Sequence, residues 1–256
     1  MKSKSLFIII IIFIFGYIIF YNEPSRLNIK KERKVVKSLK FDISDNLIDF
    51  RSKFIKFVSK IPTFLISLDK DEERRNELYK HIIPKSFYAV NGKNIDKKDL
   101  IKNGILKNDK LTLGEIGCYL SHFTTLLSNM NNKSKYILIL EDDVTGNFEA
   151  NEEILQKLIE NVPDHVDYIA LGYNHFEIKN DEIINIGKTI LKPIKLLHGT
   201  QSYLFRTNSF NKIINLLPIT EPYDLASSKI FNSYIIEPKI FDLSKYGSIS
   251  NTQGIR

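Results

Sequence analysis

Glu141, Asp142 and Asp143 stand in a row at the end of the apolar run Tyr136–Leu140, in the stretch YILILEDDV. An apolar segment of that length reads as a buried strand, and a strand is how a sheet delivers a metal ligand to its rim. Consecutive carboxylates there cost Coulombic repulsion and desolvation unless a cation or a dense set of donors compensates. Hard oxygen ligands suit Mg²⁺ or Mn²⁺ better than a thiophilic metal, and one carboxylate is available to hold a substrate hydroxyl instead. The competing reading is an acidic, solvated exit from the strand. Context decides between them.

The elements around the triplet alternate. Thr63–Leu68 has strand length, and Asp69 or Asp71 can cap the charged helix EERRNELYKH after it. Phe87–Val90 reads as a second strand stopped by the turn pair Asn91-Gly92. Thr112 lies three residues before Glu115, the capping-box spacing, and opens a helix through Ser121 and His122 to about Asn129. Strand 136–140 follows, then a helix at 152–161 and a strand at 168–171 ending in Gly172. His198–Phe205 reads as one further strand and Ser209–Leu217 as a helix. This alternation predicts an α/β fold with a largely parallel sheet, in which ligands gather at the carboxyl ends of strands. The triplet sits at such an end.

The chain has 256 residues, enough for one sizeable core, and a formal charge of +7. The charge is uneven: residues 1–60 hold 13 Lys plus Arg against 5 Asp plus Glu, leaving 24 against 25 in residues 61–256. The expected organisation is a tail at 1–5, a transmembrane anchor at 6–21, a basic stem at 22–60 and a globular body at 61–256. Residues 6–21, LFIIIIIFIFGYIIFY, carry no charge and, counted with their uncharged neighbours Ser5 and Asn22, stand at the short end of the roughly 17–25 apolar residues that span a bilayer. No A-x-A-like cleavage site follows, which disfavours a removed signal peptide. The run Lys30, Lys31, Arg33, Lys34 and Lys37 suits acidic lipid headgroups or a solvated linker. Leu47, Phe50, Phe54 and Phe57 recur at helical spacing, as an amphipathic segment would. No basic stripe interleaved with aromatics marks the body, so no nucleic-acid partner is expected. Cys118 is the only cysteine; no internal disulfide forms, and the residue reads as a small buried hydrophobe.

In order along the body, FLISLDKDEERR at 64–75, AVNGK at 89–93, LTLGEIGCYLSH at 111–122, ILEDDV at 139–144, IALGY at 169–173 and HGTQSYLF at 198–205 resemble glycosyltransferase family 25. That family includes lipopolysaccharide and lipooligosaccharide glycosyltransferases and collagen galactosyltransferases. The resemblance implies a GT-A-type nucleotide-sugar-binding fold and inverting transfer of a sugar, commonly galactose from UDP-galactose, to a glycan, lipid-linked or protein acceptor. It gives Glu141, Asp142 and Asp143 the role of metal ligands, with Glu141 and Asp143 at the ends of a D-x-D-like motif. Arg74 and Arg75 become candidates for the donor's diphosphate, since guanidinium binds phosphate bidentately. Ser121 and His122 become candidates to face the donor. Inverting transfer needs a base for the acceptor hydroxyl, and Pro222-Tyr223-Asp224 matches the family's late Pro-x-Asp element, making Asp224 that base.

The sequence also departs from the pattern, with Ser250-Asn251 where relatives often carry Ser-Asp and Ser67 where Asn is common. These departures motivate a second reading, a nucleotide-sugar-binding or scaffold protein without turnover. A third is a different metal-dependent phosphate enzyme, because carboxylate clusters also serve phosphatases. The sidedness of the anchor stays open. A short N-terminus before a stem resembles a type II Golgi or endoplasmic reticulum enzyme, whereas two basic residues before the run and six after it by Lys37 favour a cytoplasmic body.

Overall fold

The computed structural model describes residues 61–82, 84–146, 152–179, 182–244 and 246, within the compact unit 50–256. The expected anchor at 6–21, the stem, the segment 47–57 and Ser250-Asn251 lie outside the described residues. Among the described residues no helix is long and apolar enough to cross a membrane.

The strands are β1 (Thr63–Ile66), β2 (Ser86–Phe87), β3 (Tyr136–Glu141), β4 (Val144–Thr145), β5 (Tyr168–Gly172), β6 (His175–Ile178), β7 (Ile184–Ile186), β8 (Thr189–His198), β9 (Ser202–Arg206), β10 (Ser233–Glu237) and β11 (Asp242–Leu243). The helices are α1 (Glu72–Tyr79), α2 (Lys97–Lys102), α3 (Leu113–Ser128), α4 (Glu152–Asn161) and α5 (Tyr223–Ile230), with 3₁₀ segments at Gly92–Asn94 and Thr207–Leu216. The main sheet runs β2-β1-β3-β9-β5-β10-β8-β6, with β7 also on β8, and β4 pairs with β11 apart from it.

The expectation of a largely parallel sheet is corrected. β1 runs parallel to β2 and β3, and β5 to β10, but β9 lies antiparallel between β3 and β5, and β6, β7 and β10 all run antiparallel to β8. The reason is the connection after β5. Between Gly172 and Ser202 the chain makes hairpins instead of a helical crossover, and hairpins impose antiparallel neighbours. The expected strand His198–Phe205 is likewise two elements, because Gly199 takes φ +90° and turns the chain between β8 and β9.

Period-two alternation sorts the sheet into two faces. Leu65, Leu138, Leu140, Ile169, Leu171 and Leu204 join Leu78 of α1 and Leu155 and Leu158 of α4 in one buried cluster. Ile137 and Ile139 of β3 and Tyr203 and Phe205 of β9 turn the other way, where Tyr203 meets His122 of α3 and Tyr223 of α5. Helix α3 begins as its sequence predicts. Thr112 Oγ1 accepts from Glu115 N–H at 3.1 Å while Glu115 Oε2 accepts from Thr112 N–H at 2.7 Å. Its small residues let it sit close: a Cβ on Gly117 would stand 2.8 Å from the Val90 carbonyl and 2.9 Å from Gly92 N.

Candidate active site

The alternation that orders the core also divides the acidic triplet. Leu138, Leu140 and Asp142 share the α1 face, whereas Ile139 and Glu141 share the α3 face. Asp142 accordingly meets β1 and α1: Ser67 Oγ donates to Oδ2 at 2.5 Å, and Arg74 pairs with Oδ1 at 3.3 Å. Glu141 meets α3 and the turn before β9. His122 Nε2 lies 3.2 Å from Glu141 Oε1, and the Thr200 hydroxyl donates to that oxygen at 2.7 Å. Asp143, just past the strand end, turns to neither set. Its Oδ1 is buried without a hydrogen-bond partner.

Electrostatics follows from these partners. Burial pushes the Glu141 carboxyl up, but the hydrogen bond and charge of His122 and the Thr200 hydroxyl outweigh it and leave Glu141 below its ordinary value. For Asp142 burial prevails over Ser67 and Arg74, and the group sits above its ordinary value. Asp143 is raised to about 7, first by burial and then by the negative charges of Glu141 and Asp142, with Arg74 opposing. A carboxyl raised by burial and by two neighbouring carboxylates is settled by a cation or a proton.

The donor-binding candidates separate. Arg74 reaches the triplet and lies 5.7 Å from the Tyr246 ring centroid. Arg75 points into the protein, only 3% exposed, with its guanidinium on Ser67 Oγ at 3.0 Å, Asp69 O at 2.8 Å and Leu68 O. It shapes the loop that carries Ser67. Ser121 accepts from Val90 N–H at 2.8 Å and donates to Gly117 O at 2.6 Å, holding the segment after β2 against α3. His122 is fully buried. Beyond Glu141 it bonds Tyr203 Oη through Nδ1 at 2.9 Å and stacks on Tyr223 with centroids 4.3 Å apart. Cys118, one turn earlier, is half-buried, and burial ahead of Glu141 and Asp224 raises its thiol well above the usual range. Its sulfur, His122 and Glu141 offer ligand atoms within 4.8 Å of one another.

Asp224 stands in the first turn of α5. Its Oδ2 accepts from Gly199 N–H at 3.0 Å and its Oδ1 from Leu225 N–H at 2.9 Å. Gly199 and Thr200 therefore bind Asp224 and Glu141 respectively, through adjacent residues of one turn. Sequence reasoning did not pick out Thr200 or Gln201. The only local signal for the turn was the glycine in HGTQ.

Comparison with known proteins adds the following. The family model for glycosyltransferase family 25 (LPS biosynthesis protein) matches residues 60–227. Human procollagen galactosyltransferase 2 is 24% identical over 250 residues, covering 79% of this chain and 40% of that protein. Lipooligosaccharide biosynthesis protein lic2B of Haemophilus influenzae is 25% identical over 196 residues, covering 69% of this chain and 74% of that protein. The chain thus spans well under half the length of its human relative. Among solved structures, mannose-1-phosphate geranyltransferase from Thermus thermophilus aligns at a TM-score of 0.37 and 10% identity, over 77% of this chain and 66% of that one, a likeness too low to carry an argument.

Proposed function

The chain belongs to glycosyltransferase family 25, and from that premise we propose that it transfers a hexosyl group, galactose from UDP-galactose, to a hydroxyl of a glycan, lipid-linked or protein acceptor with inversion. The observation that carries the reading is the turn at Gly199–Thr200, which ties Asp224 at 3.0 Å and Glu141 at 2.7 Å to neighbouring residues. A candidate base and a candidate donor-binding carboxylate, far apart in sequence, are thereby held at one locus. Galactose as the sugar rests on the name of the human relative.

The residues present fit a divalent cation at Glu141 and Asp143. Asp143 Oδ1 is buried with no donor of its own, and the hydrogen bonds of Glu141 gather on Oε1. Asp142 is committed to Ser67 and Arg74. Such a cation, Mn²⁺ or Mg²⁺, would supply charge neutralisation for the diphosphate.

In this reading Arg74 adds a fixed positive charge beside the diphosphate, while His122 and Thr200 hold Glu141 ionised and in one rotamer. Asp224 accepts the proton of the acceptor hydroxyl as its oxygen bonds to the sugar carbon and the bond to the nucleoside diphosphate breaks. The two backbone N–H groups on its carboxylate orient it for that step. Single-pass anchoring through residues 6–21 belongs to the same proposal and is supported by the uncharged apolar run, with its sidedness open.

The test is to incubate the full-length protein with a series of UDP-hexoses, with Mn²⁺ and with EDTA, and to measure nucleoside diphosphate and inorganic phosphate. Release of UDP from one hexose only when Mn²⁺ is present is expected. Release of inorganic phosphate, or no release with any donor and acceptor hydroxyl, overturns the reading.

A further inference from the structure

Asp143 is not alone in carrying an unsatisfied atom near the triplet. Gln201 is 5% exposed, yet its Oε1 is buried with no hydrogen-bond partner. Its Nε2 donates to Asn174 Oδ1 at 2.8 Å. Exchanging O and N in either amide does not remove the problem, because one bond between two amide heads always leaves the second polar atom of Gln201 unmatched. A buried polar atom without a partner is costly to maintain, and a ligand that supplies the missing bond recovers that cost.

The surroundings are fitted to the amide pair. A Cβ on Gly199 would stand 2.7 and 2.9 Å from the two polar atoms of the Gln201 amide and 3.1 Å from Asn174 Nδ2. Glycine at 199 thus serves its φ of +90° and also leaves the space in which the amide pair sits. Asn174 is exposed and is anchored by its own N–H to His198 O at 2.9 Å. Glu141 N–H donates to the Gln201 carbonyl at 2.7 Å, so the pair lies one backbone bond across the sheet from the acidic triplet.

We propose that the Asn174–Gln201 amide pair reads the hydroxyls of the donor's hexosyl group. The proposal rests on the transferase reading above. A paired amide offers a donor and an acceptor side by side without charge, which matches a hydroxyl that must both give and take a hydrogen bond. The group attached to a diphosphate held at Glu141 and Asp143 is the sugar itself, which places hexose hydroxyls next to Gln201.

Calorimetry on the full-length protein with UDP and with UDP-galactose, both in Mn²⁺, tests this. Gln201→Ala is expected to weaken UDP-galactose about 10-fold, the loss of one well-made bond to a buried group, while UDP binds within about twofold of wild type. Asn174→Ala, on the exposed side, gives the same pattern at about threefold and serves if Gln201→Ala does not fold. Variants that bind UDP-galactose as wild type does, or that lose UDP and UDP-galactose in parallel, overturn the assignment. A wild-type protein that binds neither ligand overturns instead the transferase reading on which it rests.

Discussion

Strands β3 and β9 carry a buried polar cluster at each end, and the two clusters are built on opposite principles. At the Tyr136↔Arg206 end, the Arg206 guanidinium donates to Val166 O, Val162 O and Pro163 O, to Asp164 and to Tyr136 Oη. Nearby, Asp167 accepts from Ser209, from Lys212 and from Asn232 N–H. Donors and acceptors there are matched. At the Leu140↔Ser202 end, Asp143, Gln201 and Ser202 each keep a buried polar atom without a partner, and among the described residues only Tyr168 does so elsewhere. Burying polar groups is tolerable when they are satisfied, so the first cluster reads as architecture. Leaving them unsatisfied is tolerable when a ligand completes them, so the second reads as a binding site.

Substitutions can break that contrast. The largest effect is expected for Asp143→Asn, which should abolish transfer while leaving the fold intact, as measured by UDP release and circular dichroism. Its stability signature has a definite sign. A carboxyl raised to about 7 in the folded protein binds its proton more tightly folded than unfolded, so ionising it destabilises the fold as pH rises from the usual carboxylate range through about 7. In EDTA the Asn variant should therefore melt above wild type at pH 8 and converge with it near pH 4. Equal melting curves at every pH would mean that the carboxyl is not strained.

Asp224→Asn comes next, with a fall in kcat on the order of a hundred- to ten-thousand-fold and little change in donor affinity, the pattern of a group acting in the transition state. Steady-state kinetics with saturating acceptor would show it. Weakened donor binding at a near-normal maximal rate would move Asp224 into the donor pocket. Thr200→Val should cost less, roughly tenfold, since it removes one hydrogen bond to the Glu141 carboxylate and leaves that of His122. Because the lost bond lowers the Glu141 carboxyl, the acidic limb of the pH–rate profile should move to higher pH. The smallest effect on turnover belongs to the other cluster. Arg206→Met should leave kcat per folded molecule unchanged while lowering stability by about 3 kcal/mol, because the backbone carbonyls of Val162, Pro163 and Val166 lose their donor, read by denaturant titration.

Much of this was legible in residues 61–172. The capping box from Thr112 to Glu115 announced α3, and the apolar run before Glu141 announced β3, because both signals are local. The separation of Glu141 from Asp142 was implicit in strand alternation, but grouping the triplet as one ligand set obscured it. Helix α2 is short and was not anticipated. Strands β6 to β8 were missed because their burial alternates only in part, as at Thr189–His198, and hairpin pairing depends on partners along the sheet. The links from Thr200 to Glu141 and from Asp224 to Gly199 span 59 and 25 residues. No local pattern encodes them; they exist only once β9 inserts between β3 and β5.

On the function proposed above, the unsatisfied end of β3 is a donor site completed by a cation. Calorimetry of UDP-galactose binding to the full-length protein, in Mn²⁺ and in EDTA, with wild type and Asp143→Asn side by side, tests it most directly. Tight binding is expected only for wild type in Mn²⁺, and weak binding in the other three combinations. Equal affinity in EDTA and Mn²⁺, unaltered by the substitution, would contradict it.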